Sequence, residues 1–169
     1  DFFVSGSVYS GTDHKIRIPA VPKMPELENK AYVALFISDG DNIQYNQHAM
    51  RQVRDRTKSI RGKMPLNWTI APALVDIAPG MMNYYYGHST PNDCFVTGPS
   101  GLGYMMPCNT LNEPGAPIGE FTKDPADMDG YTRLTETYLQ RSGIRVITIW
   151  DDASPMQRAS YEKHCRHLY

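Results

Sequence analysis

Four short apolar runs alternate with helix-like segments along most of the chain, and this alternation restricts the fold more than any other feature. The apolar runs occupy residues 32–42, 66–79, 93–97 and 144–152. The helix-like segments occupy residues 43–62, 80–89, 128–143 and 154–169. Strands that alternate with helices form a parallel sheet with right-handed crossovers. We therefore predict an α/β fold of repeated βα units over residues 31–169, either a partial (β/α) barrel or an open flavodoxin-like three-layer arrangement.

Local signals indicate where two helices begin and end. Asp129 is a suitable N-cap for the segment 128–143, and Gly143 stands where a C′ glycine is favoured. Ser154 and Pro155 fit the N-cap and the first position of the last helix. Apolar spacing predicts that several side chains face the core, namely Ile43, Gln47, Met50, Val53, Leu134, Tyr138 and Leu139. The run that begins at residue 32 is typical of a strand buried on both faces.

The composition excludes several classes of protein. The chain has 169 residues, enough for one domain with a hydrophobic core, and a formal net charge of −1, which argues against nucleic acid as a partner. No segment reaches the ~20 apolar residues of a membrane span, and the first residues do not form a signal peptide. The three cysteines lack metal-binding spacing. One disulfide with a free thiol and three buried thiols are both compatible with this count, and we expect buried thiols.

Residues 1–30 are predicted to be an irregular lead-in or linker, because Pro19, Pro22 and Pro25 interrupt a polar stretch. The chain begins and ends abruptly, which leads us to expect a fragment of a larger multidomain protein. The segment between Cys108 and Asp127 is about twenty residues long, longer than a typical βα connection, and such loops often shape binding sites.

Polar residues follow each of the four predicted strands. The first run ends in Ser38-Asp39-Gly40-Asp41-Asn42, the second near Asp76, the third in the loop 98–107 that contains Tyr104, and the fourth in Trp150-Asp151-Asp152. The carboxyl ends of parallel strands lie at one edge of the sheet, where α/β proteins bind their ligands. Acids gathered at one edge repel one another unless they bind something or share protons. The sequence therefore predicts a site at this edge.

The acidic residues permit three interpretations. Asp39 or Asp41 could act as a general acid, a general base or a nucleophile, with Asp151 or Asp152 as the opposing carboxylate that glycoside hydrolysis needs. Asp39, Asp41 and Asn42 also offer the oxygen ligands that calcium or magnesium prefers. In the third interpretation, Asp41 or Asn42 caps the next helix, Asp39 forms a turn, and Asp151 or Asp152 caps the last helix.

Other motifs in the chain give little support to alternative chemistries. Ser100 fits the GxSxG frame of serine hydrolases imperfectly, because the second glycine comes one position early. The dinucleotide motif GxGxxG and the zinc motif HExxH are both absent from the sequence. Trp150 could stack on a sugar or belong to the core, and Tyr104 could orient a substrate or fill space as a plug. We expect Tyr84, Tyr85 and Tyr86 to flank an amphipathic helix.

The segment Gly101-Leu102-Gly103-Tyr104-Met105-Met106-Pro107 resembles the motif of the GxGYxYP putative glycoside hydrolases, in their C-terminal domain. The blocks SDGDN at 38–42, NWTIAPALVDIAP at 67–79 and QRSGIRVITIWDD at 140–152 resemble further parts of that family in the same order. The resemblance covers roughly residues 30–169. Met106 replaces the second tyrosine of the motif, so a hydroxyl role at that position is absent.

The resemblance implies a carbohydrate-active hydrolase domain, and the alternative is a non-catalytic carbohydrate- or partner-binding module of a larger secreted or surface protein. We expect Asp39, Asp41, Asp151 and Asp152 to be catalytic. The expected substrate contacts are Asn42, Gly101, Gly103, Tyr104 and Trp150. No cofactor is firmly expected, although calcium or magnesium stays open. Carbohydrate and other domains of the same or a larger protein are the implied partners, and secretion or cell-surface display is the implied location.

Overall fold

The computed structural model describes residues 15–21, 26–108, 123–150 and 152–169. Its elements in chain order are β1 (Phe36–Ile37), α1 (Ile43–Gln47), α2 (Ala49–Arg56), β2 (Leu66–Thr69), α3 (Leu74–Ile77), α4 (Pro79–Gly87), β3 (Asp93–Val96), α5 (Pro125–Ser142) and α6 (Pro155–His164). Strands and helices alternate, which confirms the predicted α/β class. Within these ranges, no helix has the length and apolar character needed to cross a membrane.

The three strands form a parallel sheet in the order β1-β2-β3. Consecutive strands are therefore neighbours, whereas a flavodoxin-like order would place the first strand between the second and the third. The predicted fourth strand, 144–152, meets the end of β3 through a parallel bridge between Thr97 and Ile147. The Thr97 amide donates to the Val146 carbonyl at 2.9 Å, and the Thr148 amide donates to the Thr97 carbonyl at 3.0 Å. This run therefore lies beside β3 and ends at the same edge.

Two strands are shorter than the sequence predicts. β1 lies at the edge of the described sheet, and Val33 and Phe36 are 84% and 46% exposed, so the prediction of burial on both faces is wrong. The second strand ends at Thr69 rather than near Asp76, and the chain then turns into α3. The Pro72 ring cannot donate to a sheet ladder, which explains the early end.

The helix predicted over 43–62 is divided at His48, and its buried face differs from the predicted one. Asn46, Met50 and Arg54 are buried at intervals of four residues, whereas Val53 is 39% exposed. Apolar spacing identified Met50 but not its polar neighbours, since only tertiary contacts explain why an amide and a guanidinium are inside.

The long helix α5 begins before the predicted start, with Asp124 as its N-cap. Asp129 instead pairs with α6, where Lys163 Nζ and Ser160 Oγ each donate to its carboxylate at 2.7 Å. Gly143 ends the helix at φ 75°, as predicted. Leu139 is buried as expected, but Leu134 is 48% exposed, because the inward stripe includes small polar side chains rather than leucine alone. The buried positions of α5 are Met128, Thr132, Thr135, Leu139 and Ser142.

The core lies between the sheet and the helices α3, α4 and α5. Its fully buried large side chains include Trp68, Ile70, Leu74, Met82 and Tyr85. The tyrosines of α4 are thus mainly core residues: Tyr86 is also buried, and its hydroxyl donates to the Ser142 carbonyl at 2.7 Å. The predicted capping of α6 is confirmed, because the side chains of Ser154 and Gln157 form a reciprocal capping box.

A buried arginine occupies the centre of one side of this core. Arg54 is 1% exposed, and its guanidinium carbon lies 4.8 Å from the ring centroid of Trp68. Its Nη2 lies 3.9 Å from the Asp93 carboxylate, to which Trp68 Nε1 also donates at 2.7 Å. Burial, together with the nearby charge of Arg61, lowers the pKa of Arg54. The positive charge is retained inside because Asp93 and the aromatic face compensate it.

We expect Arg54→Ala to lower the free energy of unfolding by about 3–5 kcal/mol, because it leaves the Asp93 carboxylate buried with less compensation. Arg51→Ala is the matched control on the same helix, where an exposed side chain should change the free energy by less than about 0.5 kcal/mol. Chemical denaturation measures both values. Equal effects of the two substitutions would show that buried Arg54 contributes no more to the free energy of unfolding than an exposed arginine does.

Candidate functional site

A cavity of about 280 Å³ opens at the carboxyl edge of the sheet. Its lining comes from the four strand ends: Ser38, Asp39 and Asp41 after β1, Thr69 at the end of β2, Gly98 and Pro99 after β3, and Thr148, Ile149 and Trp150 from the fourth run. The structure therefore brings together three of the predicted site residues, Asp39, Asp41 and Trp150. They meet for the topological reason that the sequence indicated, since parallel strands present their carboxyl ends on one side.

The acidic loop after β1 is fastened to β2 by the hydroxyl of Thr69. The Gly40 amide donates to Thr69 Oγ1 at 2.8 Å, and the same hydroxyl donates to the Ile37 carbonyl at 2.8 Å. The Gly40 carbonyl accepts from the Ala71 amide at 3.0 Å and from Asn46 Nδ2 at 2.6 Å. All polar groups of the Gly40 backbone are thus paired inside the protein, which holds the two flanking aspartates in place.

Gly40 is required at this position by the close approach of β2. A β-carbon added there would overlap the carbonyl oxygen of Thr69, which is backbone and cannot move aside. The preceding residue, Asp39, has φ 69°, the left-handed conformation that aspartate tolerates better than most residues. The chain thus makes a tight turn that directs Asp39 and Asp41 to the cavity.

The two acidic side chains differ in their environment. Asp41 is half-buried, and this burial, followed by the negative charge of Asp39, raises the pKa of the Asp41 carboxyl. Asp39 is exposed. Burial therefore favours the protonated form of the Asp41 carboxyl, as a general acid requires.

Of the three interpretations of the acidic loop, helix capping is observed for Asn42. Its side-chain oxygen accepts from the Tyr45 amide at 3.2 Å and caps α1. A contact of Asn42 with substrate remains a prediction. Tyr45 is a neighbour that sequence analysis missed: burial and the charge of Asp39 raise its pKa. Its position on the first turn of the helix after an acidic loop was the available signal.

The loop after β3 is built around Ser100, which is fully buried in left-handed conformation at φ 71°. Its amide donates to the Thr148 carbonyl at 2.7 Å, and its hydroxyl accepts from the Trp150 amide at 3.0 Å. Its carbonyl accepts from the hydroxyls of Tyr161 at 2.7 Å and Tyr131 at 3.1 Å. Ser100 is therefore a structural anchor, and its enclosed hydroxyl is unsuited to a nucleophilic role.

Of the two predicted glycines in the same loop, only Gly101 is required by close packing against α5, because a β-carbon at Gly103 would meet open space. Gly101 has φ 131°, and a β-carbon there would lie 2.9 Å from Thr135. The Gly103 carbonyl accepts from the Tyr131 hydroxyl at 3.2 Å. Both glycines lie outside the described lining of the cavity, and their contact with substrate stays a prediction.

Tyr104 is not a plug. Its side chain is 59% exposed, and its ring centroid lies 5.3 Å from that of Trp150, which is 44% exposed. The two ring planes are inclined at 49°. Met105, by contrast, is buried in the core as filler. The loop thus separates an inward methionine from an outward tyrosine, whose ring lies beside Trp150 of the cavity lining.

The other predicted acidic residues either are absent from the cavity lining or fall outside the described residues. Asp151 falls outside the described residues. Asp152 accepts from the Ala153 amide at 2.7 Å and pairs with Arg158 at 2.6 Å, and these contacts lower the pKa of its carboxyl. It is absent from the described cavity lining. Asp76 lies on α3 and pairs with Tyr138 and Arg141, so its expected place at the rim is wrong.

Within the described ranges, no three side chains of histidine, cysteine, aspartate or glutamate come close enough to hold a metal ion together. Asp39 and Asp41 are the acids of the described lining, with hydroxyls of Ser38 and Thr148 nearby. Cys94, Cys108 and Cys165 are all free thiols, as expected, although only Cys165 is fully buried.

Comparison with known proteins matches the chain to one domain family. A family model described as the GxGYxYP putative glycoside hydrolase C-terminal domain matches residues 29–169. A solved structure of a putative hydrolase from Bacteroides thetaiotaomicron VPI-5482 is similar, with 30% sequence identity and a TM-score of 0.75. The similarity covers 99% of this chain and 30% of that chain, so the present chain spans about a third of its length. No curated protein matches the chain.

We expect Gly40→Ala to lower the free energy of unfolding by at least about 3 kcal/mol, because the new methyl group forces the acidic loop off β2. Gly130→Ala is the matched control, since Gly130 lies within α5 with open space around it. That substitution should raise stability by about 0.5–1 kcal/mol. Thermal and chemical unfolding of both variants test the close approach, which a tolerated Gly40→Ala substitution would contradict.

Proposed function

The chain belongs to the GxGYxYP putative glycoside hydrolase C-terminal domain family, and we propose that it is a carbohydrate-active hydrolase domain that acts at the cavity of the sheet edge. The observation that carries the proposal is the pair Asp39 and Asp41 in one cavity, with the pKa of Asp41 raised. Glycoside hydrolysis uses two carboxyl groups in different protonation states. The similar solved structure is also described as a hydrolase.

In this proposal Asp41 is the general acid. Burial raises the pKa of its carboxyl, which favours the protonated form, and it would donate that proton to the glycosidic oxygen as the bond to the sugar breaks. Asp39 is the partner carboxylate, which stabilises the positive charge that develops on the sugar ring and takes the proton of the water that attacks the anomeric carbon. Asp151, beside Trp150 in the sequence, is the second candidate for the opposing carboxylate. Asp152 ranks behind it because Arg158 already binds its carboxylate.

A non-catalytic module that binds carbohydrate or a partner is the second candidate function. The exposed ring pair of Tyr104 and Trp150 favours it, because such a surface binds ligand without needing any proton transfer. Binding of glycans without release of product would select this function over hydrolysis.

The family supports wider proposals about the whole protein. We place the chain as one part of a larger secreted or cell-surface protein, in keeping with its match to 30% of a longer chain. Neighbouring strands follow chain order, and this supports a barrel-like rather than a flavodoxin-like arrangement. Calcium or magnesium bound by Asp39 and Asp41 stays a prediction for the same cavity.

We expect Asp41→Asn to lower turnover of a hydrolysed glycan by about 10²–10⁴-fold, because the amide cannot donate the catalytic proton. The melting temperature should be nearly unchanged, since the amide has almost the same shape as the carboxyl group that it replaces. Asp127→Asn is the control, an exposed acid in the first turn of α5. Release of reducing sugar from a panel of oligosaccharides measures turnover. Full activity of Asp41→Asn would overturn the catalytic assignment.

A further inference from the structure

The aromatic pair at the mouth of the cavity points to a ligand longer than the cavity itself. Tyr104 and Trp150 leave 59% and 44% of their surfaces in water, although rings of this size stabilise a protein most when they are buried. Trp150 also lines the cavity that holds Asp39 and Asp41. An exposed aromatic surface beside an acidic cavity suits a ligand that has both hydroxyl groups and apolar faces.

The backbone that carries the two rings is fixed by partly buried hydrogen bonds. The Trp150 amide donates to the enclosed Ser100 hydroxyl at 3.0 Å. The carbonyls of Ser100 and Gly103 both accept from the Tyr131 hydroxyl, so the chain immediately before Tyr104 is tied to α5. The rings are therefore positioned before any ligand arrives, and the entropic cost of binding is reduced.

The angle between the two rings favours a ligand of linked units over a single flat ring. Their planes are inclined at 49°, so one flat ring, such as a nucleobase, cannot lie on both at once. Two sugar units joined by a rotatable glycosidic bond can present one apolar face to each ring. The cavity volume of about 280 Å³ lies just below the range of about 300–1,000 Å³ for sites that enclose a whole small ligand. Part of a longer ligand would therefore lie outside, where Tyr104 is exposed.

We propose that Tyr104 and Trp150 form a two-facet sugar-binding surface, so that the ligand is a glycan of at least two linked units. One unit enters the acidic cavity against Trp150, and the next unit stacks on Tyr104. This inference rests on the carbohydrate specificity in the proposed function, but it does not depend on catalysis. Tyr104 is thus a residue that determines chain-length preference, and its ring rather than its hydroxyl is the part that acts.

Intrinsic fluorescence of the full 169-residue chain provides the test, because the chain has two tryptophans. Trp68 is 2% exposed, whereas Trp150 is 44% exposed, so emission changes and acrylamide quenching on addition of a sugar report Trp150. The probes are maltotriose, cellotriose, xylotriose, mannotriose and N-acetylchitotriose, each compared with its own monosaccharide. At least one trisaccharide should bind about tenfold more tightly than its monosaccharide.

Variants identify the origin of this preference. Tyr104→Ala should reduce the trisaccharide advantage to about threefold or less, whereas Tyr104→Phe should retain the advantage. Tyr32→Ala is the matched control, since Tyr32 is 52% exposed on the chain before β1. Equal affinity for trisaccharides and monosaccharides, an unchanged ratio in Tyr104→Ala, or no response to any probe would each overturn the inference.

Product analysis on the same trisaccharides separates this inference from the proposed hydrolysis. Chain-length-dependent binding that needs Tyr104, without product, supports the two-facet surface and counts against hydrolysis. Hydrolysis of aryl monosaccharides with no gain from further sugar units supports hydrolysis and overturns the two-facet surface.

Discussion

The hydroxyl of Thr69 joins two strand ends, and the position of the acidic loop depends on it. It donates to the Ile37 carbonyl and accepts from the Gly40 amide, so it replaces the ladder bonds that end with β1. The backbone carbonyl of Thr69 lies close enough to exclude any side chain at position 40. Asp39 and Asp41 are consequently carried on a turn whose central residue cannot shift, as a preorganised pair of reacting groups requires.

A second buried hydroxyl, that of Ser100, performs the corresponding task on the other side of the cavity. It accepts from the Trp150 amide, while the Ser100 amide donates to the Thr148 carbonyl. These two hydrogen bonds hold the loop after β3 against the end of the fourth run. The cavity between the two anchors is thus formed by backbone held at four strand ends. Loops at the carboxyl edge of a rigid parallel sheet can vary their side chains while this frame remains the same.

Much of this arrangement is predictable from sequence where the signals are local. The βα alternation, the Ser154 cap and the Gly143 helix end all follow from short patterns, and strand-end topology is enough to bring Asp39 and Asp41 together with Trp150. Burial that depends on distant partners is not predictable in this way. Arg54 is inside because Trp68 and Asp93 meet it across the sheet, and the exposure of Leu134 follows from the packing of α5 on α6. The resemblance in the GxGYxYP motif correctly indicated the family. The anchoring role of Ser100 depends on contacts with Trp150 and Tyr161, which are distant in the sequence.

The Thr69 hydroxyl holds Asp41 in its half-buried place beside Asp39, and a carboxyl NMR titration of Asp41 tests this role most directly. Burial and the Asp39 charge should place the pKa of Asp41 above the ordinary value of 3.8 in the native chain. In Thr69→Val, which lacks the hydroxyl, the pKa should fall toward that value, while Thr69→Ser keeps the hydroxyl and should preserve the raised pKa. An Asp41 pKa at or below 3.8 in the native chain, or one unaffected by Thr69→Val, would contradict the account.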